Sequence, residues 1–177
     1  MANAKYEFVP GDEITIAPGR TVKRIRALVA ISYFASAGSL GGYIESEKSL
    51  EVSGNAWVSG NARVYGDAWV SGNARVYGDA RVYGNAWVSG NAWVSGNAWV
   101  YGDGLIVWFS HVGSENGTLT VYNTKDNSLE VTRGCFRGTV DEFLAASEKK
   151  HDDQTHLEYR LLIEVAHSRI TRARGAV

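Results

Sequence analysis

One six-residue sequence unit, called a word below, is repeated almost without change through the middle of this 177-residue chain. Read from Val52, the repeat runs VSGNAW, VSGNAR, VYGDAW, VSGNAR, VYGDAR, VYGNAW, VSGNAW, VSGNAW and VYGDG. A unit this short cannot bury its own apolar side, so it must stack on its neighbours in a repetitive structure. The repeat therefore predicts an elongated scaffold and leaves few other folds open.

Each word divides into four residues of strand and two of corner. Side chains alternate between the two faces of a strand, so Ala and Val share one face while the bulky and polar residues share the other. Burial of the Ala and Val face forms a narrow core, to which each valine contributes roughly 1.5–3 kcal/mol before conformational entropy is counted. The Gly-Asn or Gly-Asp pair suits a sharp corner, because these residue types tolerate positive φ.

The word resembles that of the hexapeptide-repeat proteins, in which an aliphatic and a small residue recur at fixed positions, as they do in Val58–Arg63. The resemblance implies a left-handed parallel β-helix with three strands, and hence 18 residues, in each triangular coil. The frame continues upstream through Leu40–Glu45, with Leu50 at an alanine position, and downstream through Ile106 and Val112. We therefore expect three to four coils, stacked about 4.8 Å apart.

The chain as a whole is predicted to be mainly β and to have three regions. These are an N-terminal β-hairpin cap (1–39), the left-handed parallel β-helix (40–112), and a small C-terminal α+β region (113–177) with a β-meander and two helices. In the cap, Pro18-Gly19 is a turn signal between two strand-like stretches, which predicts the hairpin. Beyond the repeat, apolar runs separated by turn clusters predict the meander.

Two helices are predicted near the C-terminal end. Thr139 with Glu142 and Thr155 with Glu158 both fit the capping-box pattern that opens a helix. The second helix carries an apolar stripe that we expect to pack on the meander. The stripe consists of Leu157, Leu161, Val165 and Ile170.

A period of three words sorts the outward side chains into columns on three faces. Because Trp, Tyr and Arg are enriched at interface hot spots, the aromatic and basic members are the candidate binding residues. The first face is predicted to stack Trp57, Arg75 and Trp93; the second Arg63, Arg81 and Trp99 beside Tyr65, Tyr83 and Tyr101; the third Trp69 over Trp87. At one corner an amide ladder is predicted, formed by Asn55, Asn73 and Asn91.

Composition argues against several classes of protein. The formal net charge is -1, so the chain has no global basic field and no sequence-specific nucleic-acid binding is expected. The start of the chain lacks the pattern of a secretory signal, and no apolar run reaches the roughly 20 residues that cross a bilayer. We therefore predict a cytoplasmic protein without a membrane partner.

Residues with catalytic chemistry are few. The repeat contains no histidine, and the nearby His111 fits either a general base or an ordinary surface or packing residue. Cys135, the one cysteine of the chain, is expected to be a small buried residue rather than a thiol activated by Arg133 and Arg137. His151 with the two aspartates after it is expected to form a polar loop, so we predict neither a metal site nor a cofactor.

The segments that flank the repeat indicate a more specific family. The segments RIRAL (24–28), LGGYIES (40–46) and GCFRGTVDEF (134–143), combined with the repeat, are similar to those of a family of phage and prophage hexapeptide-repeat proteins. This resemblance implies the architecture and a viral origin. It implies no chemistry, because no activity is established for that family.

Three functions from different classes remain open. The favoured one is a non-enzymatic phage or prophage binding protein that acts through its rigid faces or through sites between subunits, with a homotrimer as the favoured assembly. Its partner would be a host protein or a nucleotide-like ligand, and its role would be to antagonise a host defence. The second is a CoA-dependent acyltransferase with His111 as base, and the third is a structural part of the virion or of its assembly.

Overall fold

The computed structural model describes residues 3–17 and 19–175. Within these ranges the chain is mainly β, with two helices at the C-terminal end, α1 (Val140–Lys150) and α2 (Asp153–Arg174), and a 3-10 turn at Glu47–Ser49. The strands are β1 (Tyr6–Ala17), β2 (Arg20–Ala27), β3 (Leu40–Ile44), β4 (Trp57–Val58), β5 (Arg63–Val64), β6 (Trp69–Val70), β7 (Arg75–Val76), β8 (Arg81–Tyr83), β9 (Trp87–Val88), β10 (Trp93–Val94), β11 (Trp99–Tyr101), β12 (Ile106–Val112), β13 (Gly117–Asn123), β14 (Leu129–Arg133) and β15 (Phe136–Thr139).

Strands β3 to β11 wind into a β-solenoid of about three turns. We call the sheet of β4, β7 and β10 the first face, that of β3, β5, β8 and β11 the second face, and the pair β6 and β9 the third face. All pairs within these sheets are parallel, and Trp57 pairs with Arg75, 18 positions along the chain. The Val and Ala side chains between Ala56 and Val100 form the core and are at most 1% exposed. The predicted three-word coil and inward Val and Ala face are therefore confirmed.

The first coil contains two extra residues, so the upstream frame expected from the sequence is wrong. Ile44 pairs with Val64 and Leu50 with Val70, in each case 20 positions along the chain rather than 18. Leu50 consequently occupies a valine position of the core, at 1% exposure, while Val52 is displaced to the surface. The pairing accommodates the two extra residues in the segment between Leu50 and Ala56, which forms no strand.

The N-terminal segment extends the solenoid at one end. Strands β1 and β2 form the predicted antiparallel hairpin, although Pro18 of its turn lies outside the described residues. Strand β2 pairs antiparallel with β3, so the hairpin lengthens the second face and covers an edge that would otherwise be open to other strands. The segment from residue 28 to residue 39 connects β2 to β3 and passes over the first face, where Tyr33 and Phe34 contact Arg75.

The predicted meander closes the other end of the solenoid. Strands β12, β13, β14 and β15 form one antiparallel sheet in chain order, and Ile106 and Val112 belong to its strand β12 rather than to a further coil. The backbone of Trp93, in the last strand of the first face, bonds to this sheet. Its N–H donates to Thr120 Oγ1 at 3.2 Å and its carbonyl accepts from Thr132 Oγ1 at 2.7 Å.

The helices pack on the meander, but the second differs from expectation. Helix α1 has the predicted capping box of Thr139 and Glu142. Helix α2 begins one turn earlier than predicted, because the Asp152 side chain accepts a hydrogen bond from Thr155 N–H and is the N-cap. No helix in the described part of the chain is long and apolar enough to cross a membrane.

The buried face of α2 is not the predicted stripe. Apart from Ile170, which is buried as expected, the stripe residues are 42–50% exposed. The residues that pack inward are spaced by four, three and four positions, and their first member is a tyrosine that contacts Phe143 of α1. These residues are Tyr159, Ile163, Ala166 and Ile170.

Candidate ligand-binding groove

The eleven predicted binding residues occupy the expected columns but differ in exposure. On the third face, Trp69 and Trp87 stack with ring centroids 5.3 Å apart and are 39% and 56% exposed. On the first face, the expected exposure of Trp57 is wrong, because its side chain is only 3% exposed. Strand β3 covers it: a Cβ atom placed on Gly41 would lie 2.8 Å from Trp57 Cζ2.

The second face carries the predicted tyrosine column. Tyr83 stacks on Tyr65 and on Tyr101, with ring centroids 5.0 Å and 5.3 Å apart. Beside the column, Arg63 pairs in register with Arg81, and the Arg81 guanidinium lies 5.2 Å from the ring of Trp99. These side chains are half-buried against one another, so much of their surface is already used within the chain.

A groove of about 420 Å³ lies over the first face and combines three parts of the chain. The cap segment forms one wall, the solenoid forms the floor, and the loops of the meander form the opposite wall. The residues that line it are Ser32, Tyr33, Phe34, Asn55, Asn73, Arg75, Asn91, Trp93, Ser110, His111, Asn116, Gly117, Thr118, Thr132, Arg133 and Gly134. Two of the predicted binding residues, Arg75 and Trp93, are thus part of this groove.

Arg75 is held at the groove by aromatic rings. Its guanidinium carbon lies 4.0 Å from the ring of Trp93 and 4.8 Å from that of Tyr33, and it also sits over the ring of Phe34. Burial lowers the pKa of the Arg75 guanidinium, and the neighbouring Tyr33 hydroxyl partly offsets this. Its Nε and Nη2 atoms are buried and have no hydrogen-bond acceptor among the described residues. The rings therefore hold in place a cation that has two donor atoms without a described acceptor.

The floor of the groove includes the predicted amide ladder, which is confirmed. The Nδ2 atom of Asn55 donates to Asn73 Oδ1 at 3.1 Å, and that of Asn73 donates to Asn91 Oδ1 at 3.0 Å. All three amides are exposed at their corner. The ladder fixes the orientation of each amide and so presents an ordered row of polar groups to the groove.

Unusual backbone conformations cluster around the groove. His111 lies where the pairing of β12 with β13 shifts register between Phe109 and Val112, and its φ is 59°. Ser32 in the cap segment and Asn116 in the turn between β12 and β13 also line the groove, and their φ values are 50° and 48°. Non-glycine residues in this region are uncommon and cost free energy, and such positions often lie at functional sites.

The charges around the groove have one sign. Its described lining contains two cations, Arg75 and Arg133, and no carboxylate. Arg133 is oriented by two neighbours, since its Nε donates to the Tyr159 hydroxyl at 3.1 Å and its Nη2 donates to the Val112 carbonyl at 3.2 Å. Such a lining, with aromatic rings beside cations, suits a flat ligand that carries negative charge.

The remaining chemical candidates lie elsewhere. Cys135 is exposed, so its expected burial is wrong; it occupies the two-residue turn between β14 and β15, where Gly134 has a φ of 58°. His151 ends α1 and contacts Ser114 Oγ at 3.4 Å. Within the described ranges, no group of three or more His, Cys, Asp or Glu side chains that could hold a metal ion is found.

Sequence reasoning missed the walls of the groove. Tyr33 and Phe34 stand next to each other in a segment otherwise rich in small residues, ISYFASAGS, and such an isolated aromatic pair was the available signal. No sequence pattern predicted Arg133 as a groove residue, because only the folding of the meander brings it there. The amide ladder was predicted, but not that it would be the floor of a site.

Comparison with protein families matches the solenoid alone. A family described as the YdcK beta solenoid repeat matches residues 56–72, 74–90 and 86–104. These stretches coincide with the parallel coils, so the match agrees with the observed repeat architecture. Searches of curated proteins and of solved structures found no match.

Proposed function

We propose that this chain is a non-enzymatic binding protein that holds an anionic, nucleotide-like ligand in the groove over the first face. The observation that carries the proposal is the Arg75 guanidinium, whose buried Nε and Nη2 atoms lack acceptors among the described residues. A buried donor without a partner costs about 1–3 kcal/mol, and more when it is charged. A phosphate or carboxylate oxygen that reached these two atoms from the groove would remove that cost.

The rest of the lining favours a ligand with both a ring and a phosphate. Tyr33 and Trp93 offer ring faces on which a base can stack, and Arg133 adds positive charge on the opposite wall. The amide ladder can hydrogen-bond the edge of a base or a sugar hydroxyl. The volume of about 420 Å³ falls within the range typical of small-molecule sites.

Further proposals concern the fold and the biological setting. The six-residue word and the three-strand coil support a left-handed β-helix of the hexapeptide-repeat type. Similarity of the flanking segments to phage and prophage proteins supports a viral origin and action in the host cytoplasm. In that setting, a rigid protein that sequesters a nucleotide signal would antagonise a host defence; blocking a host protein through the exposed faces is the other form of the same hypothesis.

Nucleotide binding by the purified chain tests the proposal. Isothermal titration with ATP, AMP and cyclic di-AMP, alongside adenosine and inorganic phosphate, separates the contributions of ring and phosphate. We expect at least one nucleotide to bind more tightly than either adenosine or phosphate. Arg75→Ala should weaken that binding roughly tenfold or more, as expected for the loss of a charged hydrogen bond.

Arg81→Ala is the matched control, because Arg81 holds the same position of the word on the second face. It should leave nucleotide affinity within about twofold. Two results contradict the proposal: no nucleotide binding at about 1 mM ligand, or equal affinity of the Arg75→Ala variant and the unchanged protein. Circular dichroism of both variants confirms that the fold is retained.

An acyltransferase is the second candidate, favoured by the position of His111. This histidine is exposed and lines the same groove, where a general base would meet a substrate hydroxyl or amine. Its side chain makes no hydrogen bond within the described part of the chain, so nothing there orients the ring. Acyl-CoA turnover that is lost in His111→Ala would favour this candidate over simple binding.

A further inference from the structure

The outer side of helix α2 carries an apolar strip that no described element covers. Leu157, Leu161 and Val165 are 42%, 50% and 48% exposed, and their spacing of four residues aligns them along one side of the helix. The described chain packs α2 on α1, β12 and β13 through the opposite side. The strip is therefore free to meet another surface.

The strip continues onto the solenoid. Val165 and Arg169 line a shallow groove together with Trp87 of the third face and Trp108 of β12. Trp87 is 56% exposed and is the most exposed of the six tryptophans. A contiguous apolar surface of this kind is typical of interaction sites.

Charged residues beside the strip indicate what covers it. Arg160 and Glu164 are exposed. They are four residues apart, so both lie on the same side of the helix, next to Leu161. Neither forms an ion pair within the described ranges. An antiparallel α2 helix centred on Leu161 would bring Leu157 opposite Val165 and Arg160 beside Glu164 of the other helix. By symmetry the same two contacts occur twice, so the surface is complementary to itself.

We infer that this chain forms a twofold-symmetric dimer through antiparallel packing of α2. A self-complementary patch is what an isologous interface requires, because each residue that contacts the partner is contacted in the same way. The α2 strip provides the centre of the interface, and Trp87 with its neighbours extends it towards the roughly 800 Å² per partner of a stable contact. The inference does not depend on the proposed ligand groove, which lies over another face.

Light scattering with size-exclusion chromatography tests the inference on the full chain. The protein has a mass of 19.3 kDa, so a dimer has twice that mass and is distinguished readily from a monomer or trimer. Leu161→Glu places two carboxylates at the centre of the interface and should give a monomer. Lys149→Glu, which also makes the chain more negative but does so at an exposed site on α1, should remain a dimer.

Charge exchange separates contacts between chains from contacts within one. Arg160→Glu alone and Glu164→Arg alone each place like charges opposite each other across the interface, and each should raise the dimer dissociation constant roughly tenfold or more. An equimolar mixture of the two variants should restore a dimer, because the two acidic side chains beside the strip of one variant meet the two basic side chains of the other. A monomer or trimer for the unchanged protein, or a mixture that stays monomeric, overturns the inference; circular dichroism verifies that each variant is folded.

Discussion

At the scale of single residues, Lys5 is the clearest case of an environment that alters chemistry. Its side chain is 4% exposed and its Nζ donates to the Glu51 carbonyl at 2.8 Å. Burial lowers the pKa of Lys5 to about 8, although the Glu51 carboxylate partly opposes this. In the unfolded chain, the ammonium keeps its proton to about pH 10.4. Between these values the unfolded state binds more protons, so the free energy of unfolding rises with pH.

We therefore expect the free energy of unfolding to increase by about 2 kcal/mol between pH 7.5 and pH 9.5. Lys5→Met should abolish the increase, whereas Lys149→Met, at an exposed site, should leave it unchanged. Urea unfolding followed by circular dichroism at several pH values measures both. Above about pH 10, Tyr6 reverses the trend, because burial raises its pKa to about 12 and its phenol ionises first in the unfolded chain. A flat profile in the unchanged protein would contradict this account.

The candidate site shows what single residues of the repeat could and could not reveal. The columns follow from counting residues in steps of 18, so the sequence predicted that Arg75 lies between Trp57 and Trp93 in the first face. Counting could not distinguish Arg75 from Arg81, since both occupy the same position of the word. The difference comes from the cap, which brings Tyr33 and Phe34 over the first face. Such contacts between distant segments leave no trace in a local pattern.

At the scale of elements, we expect that the first coil can fold without its two extra residues. Removal of Val52 and Ser53 would join Leu50-Glu51 directly to Gly54-Asn55-Ala56-Trp57, which is a complete word with leucine at the valine position. Glu51 already accepts a hydrogen bond from Gly72 N–H at 2.6 Å, so its corner is in place. We expect the deletion variant to fold with a free energy of unfolding within about 1 kcal/mol of the unchanged protein.

Deletion of Val70 and Ser71 is the contrasting change, because it removes the same two residue types from a regular word. It takes a core valine away and moves every later strand out of register with the coil below. We expect loss of cooperative unfolding, or a melting temperature lower by tens of degrees. Thermal melts of the two deletion variants decide the matter, and equal damage by both would argue against an insertion in the first coil.

The capping box of α1 gives a second prediction at this scale. Thr139 Oγ1 accepts from Glu142 N–H at 3.2 Å, and the Glu142 carboxylate accepts from Thr139 N–H at 2.8 Å. Thr139→Ala removes the first bond and should lower the free energy of unfolding by about 1 kcal/mol. Thr171→Ala, at an exposed position within α2, should cause no loss. Chemical denaturation of both variants measures the difference.

Elements were predicted from the sequence where the signal is local. The strands and corners follow from alternation and glycine, and the α1 cap follows from a four-residue motif. The α2 stripe failed because Leu157, Leu161 and Val165 are as regular as the face that is buried, and Tyr159 begins that face with a ring that reaches Phe143. Periodicity identifies an apolar side of a helix, but only the tertiary partner decides which side is covered.

At the scale of the whole molecule, the groove depends on how the two ends of the solenoid are rotated. The cap and the meander form opposite walls only because both lie over the first face, and each word of six residues turns the chain by one face. An added coil of 18 residues therefore keeps the walls aligned and separates them by one strand spacing, about 4.8 Å. An added word of six residues moves the meander to a different face and dismantles the groove.

Two insertion variants test this dependence. A second copy of residues 64–81 inserted after Arg81 should fold at least as stably as the unchanged protein, because each new Val and Ala extends the same core. A second copy of residues 76–81 at the same place should still form coils but should lose nucleotide binding, since cap and meander no longer face each other. Circular dichroism and thermal melts report on the coils, and isothermal titration with the nucleotide bound by the unchanged protein reports on the groove. Full binding by the six-residue variant would mean that the ligand contacts only one wall, and unfolding of the 18-residue variant would mean that coils are not interchangeable units.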